Sequence, residues 1–347
     1  MAHVRSSRGN EKTSQVAVIG AGAWGTALAR LLAGAGVPVR LWAYEPEVVE
    51  AIRDKRENTK YLPGVSLPQA LTPTGSLAEA MQASDVLLFA VPSHVARSVL
   101  LQIGPLLTNP MPLISATKGI EEHTLKLMSE VMQETLPPSM RRWIAVLSGP
   151  SFAAEVCREQ PTAVSLAAED VELVRRMQTL LMTSLFRVYG GSDVIGVQLG
   201  GALKNVMALA AGVVDGLGLG HNARAALITR GLAEMVRLGI AMGADPRTFY
   251  GLSGVGDLVL TCTGPLSRNY TVGAKLGRGE KLESILGDLQ GVAEGVRTAR
   301  AAQGLAARHG VEMPIVREIC AVLFEGKAPR QAVTDLMERT AKDETGV

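Results

Sequence analysis

The chain reads as an α/β protein: a doubly wound, largely parallel sheet in the first half, then a half that is entirely helical. Three observations predict this. Short β-rich runs alternate with helical patterns up to about residue 190, a glycine-rich run joins the first strand to the first helix, and beyond Gly191 strand-like runs give way to long Ala/Leu/Met-rich segments. A length of 347 residues suits about two domains.

In chain order, residues 1–13 are polar and predict a disordered tail. Strands are expected over Gln15 to Gly20, Val37 to Ala43, Val86 to Val91, Pro112 to Ala116, Trp143 to Ser148, Thr162 to Ala167 and Leu185 to Tyr189. Helices fall between most of them, as at Trp24 to Gly34, Pro46 to Arg53 and Leu125 to Leu136. Strands alternating with helices imply βαβ units and the Rossmann class of sheet over 14–190. Residues 191–340 then predict an all-α domain, with helices near Val194 to Val214, Asn222 to Met242, Tyr270 to Leu276, Thr298 to His309, Val316 to Phe324 and Arg330 to Arg339. Residues 341–347 form a second expected tail.

Composition excludes several function classes. The 35 Lys and Arg balance 33 Asp and Glu to a net charge of +2, and no basic stripe suits a nucleic-acid backbone. With three Trp, five Tyr and five Phe, there is no stacking platform for single strands. Cys157, Cys262 and Cys320 are far apart and odd in number, which fits a reducing compartment rather than a disulfide framework, and no metal-ligand cluster is apparent. Arg5, Arg8 and Lys12 before the apolar run Val16 to Ala29 outline a signal peptide. The glycines inside that run have their own mechanism and it falls short of the roughly 20 residues that span a bilayer, so the signal-peptide reading is rejected and no integral membrane segment is expected.

Gly20-Ala21-Gly22-Ala23-Trp24-Gly25 matches G-x-G-x-x-G. The first glycine permits a tight turn, the second lets backbone approach a pyrophosphate, and the third lets helix and strand pack closely. The helix N-terminus offers free N–H groups to the phosphates, so NAD or NADP is the expected cofactor. Glu45 lies near the end of the second strand, where a carboxylate would accept from a ribose 2′-OH, but Trp42, Ala43 and Tyr44 occupy the strand end itself. NAD versus NADP stays open at this point.

Loops after three later strands face the crevice where such sheets bind ligands: Pro92-Ser93-His94, Thr117-Lys118-Gly119 and Ser148-Gly149-Pro150-Ser151. Ser93 and Ser151 suit helix N-caps as well as ligand contacts, and His94 reads as a partly exposed loop residue. Lys118, between Thr and Gly at the mouth of an apolar strand, points toward the cofactor.

In the helical half, Gly200-Gly201-Ala202-Leu203-Lys204-Asn205 places a lysine within an apolar helix. Two mid-helix glycines before it suggest space kept open, and a partly buried amine there would be a proton donor or acceptor with a lowered pKa. Asp257 in Gly254-Val255-Gly256-Asp257 reads as an N-cap or a functional carboxylate. Ser267 can cap a helix whose first turn holds Arg268 and Asn269, a setting that suits phosphate. Glu294, in Gly291-Val292-Ala293-Glu294-Gly295, also fits a first-turn acid.

The ordered set GAGAWGTALA, VPSHV, ATKG, SGPSFAAEV, IGVQLGGALKNV, NARAALITRGLAEM, GDLVLTC, SRN and VEMPI resembles bacterial-type NAD(P)-dependent sn-glycerol-3-phosphate dehydrogenases, from about residue 15 to 340. The resemblance implies a cytoplasmic homodimer that interconverts dihydroxyacetone phosphate and sn-glycerol 3-phosphate for phospholipid synthesis. It implies Lys204 as proton donor and acceptor and Lys118 as a residue touching cofactor and substrate. Asp257 joins Lys204 and Lys118 as an expected catalytic residue, and these three fall with Ser267, Arg268, Asn269, Gly149 and Ser151 in the substrate set. Ala23, Trp24, Tyr44, Ala153, Val292 and Glu294 fall at cofactor positions, with Lys118 and Arg268 shared between the two sets. Ala23-Trp24 replaces the common Ser-Tyr or Ser-Phe, and Tyr44 stands where some members have His or Arg; both bear on cofactor preference. The competing readings are a hydroxyacid or 6-phosphogluconate-type dehydrogenase and a non-catalytic NAD(P)-binding redox sensor.

Overall fold

The computed structural model describes residues 14–288, 292–341 and 343–344. The expected tail at 1–13, most of that at 341–347, and Gly291 lie outside the described residues. Ten strands are present among them: β1 (Val16–Ile19), β2 (Val39–Trp42), β3 (Glu57–Asn58), β4 (Leu62–Ser66), β5 (Leu71–Thr74), β6 (Val86–Phe89), β7 (Leu113–Ser115), β8 (Ile144–Ser148), β9 (Thr162–Ala168) and β10 (Phe186–Gly191). Between them run α1 (Ala23–Gly34), α2 (Pro46–Lys55), α3 (Leu77–Met81), α4 (Ser93–Ile103), α5 (Met128–Thr135), α6 (Ala153–Cys157) and α7 (Val171–Leu181).

Eight strands form one sheet in the order β10-β9-β8-β7-β6-β1-β2-β5, while β3 and β4 make a separate hairpin. Every neighbour pair in the large sheet is parallel except β8 with β9. The chain builds outward from β1 through β2 to β5, then restarts on the other side of β1 at β6. That reversal opens a crevice beyond the carboxyl ends of β1 and β6, where ligands of such sheets bind. All four residues of β1 are fully buried, which a strand covered by helices on both faces requires.

Two elements correct the sequence reading. β5 carries Pro73 and was not expected as a strand; it survives because it pairs only with β2 and sits at the sheet edge, where a missing N–H breaks no ladder. The β3–β4 hairpin, with Pro63 and Gly64, likewise shows no alternating pattern to read.

From Val194 onward the described residues are helical: α8 (Val194–Gly216), α9 (Gly220–Ala241), α10 (Pro246–Phe249), α11 (Asp257–Thr263), α12 (Arg268–Gly277), α13 (Leu282–Gly287), α14 (Glu294–Arg308), α15 (Pro314–Phe324) and α16 (Pro329–Met337). A π-helical turn at Leu252–Gly256 leads into α11. The central helix is α8, started by Asp193, whose carboxylate accepts from Gly196 N–H at 2.8 Å. By length and composition α8 could cross a membrane, yet 89% of its most apolar stretch is buried within the fold.

The packing of α8 against α12 depends on four glycines in two i,i+4 pairs. A Cβ on Gly212 would stand 2.1 Å from Tyr270 O, and one on Gly216 would stand 2.2 Å from Ala274 O. From the other side, a Cβ on Gly273 would fall 2.0 Å from Leu209 O, and one on Gly277 would fall 2.5 Å from Val213 O. Backbone therefore meets backbone, and this fixes the start of α12 beside the middle of α8. We expect Gly273→Ala to destabilise the fold by about 1–3 kcal/mol through overpacking. Denaturant unfolding measures it, and a variant as stable as the parent would show that the contact yields without strain.

Candidate active site

The glycine loop folds as its sequence requires. Gly20 has φ +110°, a region L side chains rarely adopt, and a Cβ there would stand 2.8 Å from Ala90 O. A Cβ on Gly25 would lie 1.9 Å from Gly20 O, so turn and helix touch directly. Gly22 is different, because nothing lies within 4 Å of where its Cβ would be. It is also the N-cap of α1 and makes no side-chain capping bond, which leaves first-turn N–H groups facing open space. An open backbone cradle at a helix N-terminus fits a dinucleotide pyrophosphate.

Of the flanking residues, Ala23 opens α1, and Trp24 packs on the cluster of Ala27, Leu62 and Cys157 with its buried Nε1–H unpartnered among the described residues. Tyr44 is 81% exposed just past β2, its ring edge-on to Trp42 at 6.4 Å. Ala153 is the first residue of α6, and Val292 lies just before α14.

Across the crevice lies a buried charge cluster that sequence spacing alone did not reveal. Asp257, 0% exposed, accepts from Lys204 Nζ on Oδ1 at 2.6 Å and from Lys118 Nζ on Oδ2 at 2.7 Å. One carboxylate thus joins the end of β7 to the middle of α8. The N-cap reading of Asp257 is corrected, since Gly256 is the cap of α11 and the carboxylate faces the two ammoniums. Lys204 also donates to Thr261 Oγ1 at 2.9 Å, and Thr261 donates to Asp257 O at 2.6 Å. Lys118 donates to Gly149 O at 3.1 Å, the carbonyl that Ser151 Oγ also reaches at 2.9 Å.

Burial lowers the Lys204 pKa to about 8; Lys118 pushes the same way, and Asp257 opposes. An ammonium has three N–H groups. Two of those on Lys204 go to Asp257 and Thr261, so one remains for a ligand. Three buried or half-buried charges sum to one surplus positive charge.

The reading of Gly200 and Gly201 as space held open for a ligand is overturned. A Cβ on Gly200 would stand 2.2 Å from Ser253 O, and one on Gly201 would stand 2.3 Å from Ser148 Oγ. These glycines let the π-helical turn and the end of β8 press onto α8, which brings Asp257 and Lys118 within reach of Lys204.

At the head of α12, Ser267 Oγ accepts from Tyr270 N–H at 3.2 Å, the capping role its sequence position predicts. Arg268 reaches solvent but is crowded by protein, and desolvation lowers its pKa against the pull of Glu294 and Tyr61. Asn269 is buried, donating to Asn205 Oδ1 at 2.9 Å and accepting from Gly295 N–H at 2.9 Å. It ties α8, α12 and the start of α14 together.

Glu294 spans the two halves of the chain. Its carboxylate accepts from Ser93 Oγ at 2.6 Å and from Ser93 N–H at 3.2 Å, and its pKa is raised by desolvation despite those bonds. Neither Ser93 nor Ser151 caps a helix: the caps of α4 and α6 are Pro92 and Phe152. His94 is an exposed residue in the first turn of α4. Thr261 and the Ser93–Glu294 bridge were missed from sequence. The four-residue step from Asp257 to Thr261 was a readable helical signal; a bridge over 201 positions was not. All three cysteines are buried free thiols.

Comparison with known proteins agrees with this geometry. Residues 15–174 match the family model described as NAD-dependent glycerol-3-phosphate dehydrogenase N-terminus, and residues 193–334 match its C-terminus. The chain is 58% identical to a glycerol-3-phosphate dehydrogenase [NAD(P)+] of Geobacter metallireducens over 332 residues, 96% of this chain and 99% of that one. It is 50% identical to the enzyme of the same name from Myxococcus xanthus, covering 94% and 98%. A crystal structure of glycerol-3-phosphate dehydrogenase from Coxiella burnetii superposes with a TM-score of 0.91 at 39% identity, covering 94% and 99%. A ketopantoate reductase from Ralstonia eutropha, at 16% identity and TM-score 0.57, shares the fold alone. With both halves of the family pattern present in order, the chain belongs to the NAD-dependent glycerol-3-phosphate dehydrogenase family.

Proposed function

We propose that the protein is an oxidoreductase that interconverts dihydroxyacetone phosphate and sn-glycerol 3-phosphate with NAD(P)H. The observation that carries this reading is the bridge of Asp257 between Lys118 and Lys204 at the mouth of the dinucleotide crevice. The glycine loop would hold the pyrophosphate of the dinucleotide, whose nicotinamide would supply or accept the hydride.

The protein's own residues do the rest. Lys204 gives its free proton to the oxygen that becomes the alcohol and recovers one from solvent; in the reverse direction the neutral amine takes the proton from the alcohol. Lys118 adds positive charge beside that oxygen, fixed in place by Asp257 and Gly149 before any substrate arrives, so no reorganisation is needed as charge develops. Arg268 and the first-turn N–H groups of α12 hold the phosphate and so orient the carbonyl. Gly149, Ser151, Ser267 and Asn269 complete the substrate pocket. Glu294, Val292 and Ala153 adjoin the cofactor.

A hydroxyacid-type dehydrogenase or a redox sensor is less well supported. The proteins of other activity that resemble this chain do so at fold level, and a sensor has no use for a proton donor beside a phosphate site. The family resemblance supports a cytoplasmic homodimer that feeds phospholipid synthesis, and three free thiols fit a reducing compartment.

Lys204→Ala should keep cofactor affinity and lose about 10²–10⁴-fold in turnover. Near-normal turnover in a stopped-flow assay would remove the assignment. Arg268→Ala should raise the KM for dihydroxyacetone phosphate by about 10- to 100-fold, the loss of a hydrogen bond to a charged group; an unchanged KM would contradict the phosphate role. The pH dependence has a defined sign. Ketone reduction needs the ammonium, so its kcat/KM should be flat below pH 8 and fall above it, while alcohol oxidation rises through the same window. Asp257→Asn removes the group that opposes the lowering and should move that limb to lower pH. A limb that stays in place would show that another group titrates.

A further inference from the structure

We propose that this enzyme selects NADH over NADPH, and that the selecting group is Glu45, locked in place by Tyr61. The inference rests on the dinucleotide reading above and deepens it. In this class of sheet the adenosine ribose lies beside the carboxyl end of the second strand, where a carboxylate accepts from the 2′-OH and repels a 2′-phosphate.

Glu45 is three residues past the end of β2 and stands at the N-cap of α2 with an extended backbone, yet its side chain makes no capping bond. The carboxylate turns aside: Oε1 accepts from Tyr61 Oη at 2.5 Å, with Lys60 Nζ 3.7 Å from the same oxygen. Among the described residues no hydrogen bond engages Oε2, which keeps its capacity for a ribose hydroxyl.

The lock is anchored in the cofactor loop itself. Tyr61 N–H donates to Asn58 Oδ1 at 3.1 Å. Asn58, 0% exposed, donates through Nδ2 to Ala21 O at 2.8 Å and to Thr26 Oγ1 at 2.8 Å. Ala21 lies between the first two glycines of the loop. Glu45 is thus held at a fixed position relative to the pyrophosphate cradle by a chain of three contacts. Burial and the Glu45 bond both raise the Tyr61 pKa, so the phenol keeps the proton it donates.

A 2′-phosphate would carry nearly two negative charges into this corner. The cations nearest it already face other acceptors, apart from Arg268, which feels the charge of Tyr61 and is assigned above to the substrate phosphate. Lys60 is bonded to Glu47 at 3.0 Å and lies against Glu45. Arg56 donates to the carbonyl oxygens of Leu67 and Leu71 at 3.3 and 2.9 Å. Arg53 and Lys55 are in the last turn of α2, the end away from Glu45. The positive N-terminus of α2 already has Glu47 in its first turn. The pinned carboxylate cannot swing clear without losing its tyrosine.

Equilibrium titration with NADH and NADPH, followed by nucleotide fluorescence, tests this alongside kcat/KM for each. NADH should bind at least about tenfold more tightly than NADPH, the scale of a like-charge clash. Glu45→Gln should narrow the ratio by improving NADPH binding. Tyr61→Phe, which keeps the charge but frees the side chain, should narrow it less. Equal affinities in the parent protein, or a ratio unchanged in Glu45→Gln, would overturn the proposal. Binding of neither nucleotide would instead overturn the dinucleotide reading, and the selectivity with it.

Discussion

The structure turns on one carboxylate shared by two ammoniums. A buried Asp257 alone would be costly, and so would either lysine. Together they satisfy one another, but only if strand β7, helix α8 and helix α11 all deliver their side chains to within hydrogen-bond distance. The surrounding architecture meets that condition. Gly200 lets the π-helical turn press its backbone onto α8, so that α11 begins with its first residue aimed at Lys204. Gly201 lets the end of β8 approach, and Gly149 O then takes a second bond from Lys118.

A second constraint positions the head of α12, where the proposed function places the phosphate. The four glycines between α8 and α12 remove the side-chain layer that normally separates two helices by 8–10 Å. With backbones in contact, the first turn of α12 cannot drift from Lys204, and Asn269 reaches Asn205 one residue further along α8. Lys204 and the head of α12, the proposed proton donor and the proposed phosphate site, are therefore parts of one rigid pair. Such rigidity is what orientation demands, since a reacting carbonyl misplaced by an ångström loses much of the advantage of being bound.

Much of this was legible in the sequence, and the reasons differ by element. The glycine loop could be read because its function depends on local backbone geometry, which neighbouring residues dictate. Lys204 stood out because a charge on an apolar helix violates the pattern around it. Asp257 could be named as a candidate carboxylate but not paired, because its partners lie 53 and 139 positions away, and the sequence holds no record of which acid meets which base. The glycines before Lys204 are a visible anomaly whose cause the sequence does not show: the absent side chains admit the backbone of Ser253 and the hydroxyl of Ser148 rather than a ligand. β5 and the β3–β4 hairpin were invisible because proline and glycine in edge positions cost a sheet nothing there, although in a central strand they would break it.

The charge arithmetic of the triangle suits the proposed role of Lys204 in both reaction directions. A buried amine with no partner falls far below its ordinary range, and would be a poor acid because it would seldom hold a proton. An amine paired only with an aspartate stays firmly protonated and gives its proton up reluctantly. Lys204 has burial and Lys118 pushing one way and Asp257 pulling the other, and the balance falls at about 8. Near neutral pH that amine is mostly charged, yet little free energy separates its two states. Thr261 adds a neutral acceptor that holds the nitrogen in place without biasing its charge strongly. The same balance leaves one uncompensated positive charge in the cleft, so an anionic ketone enters against no repulsion. In the proposed function its phosphate is held at α12 and its oxygen between the lysines.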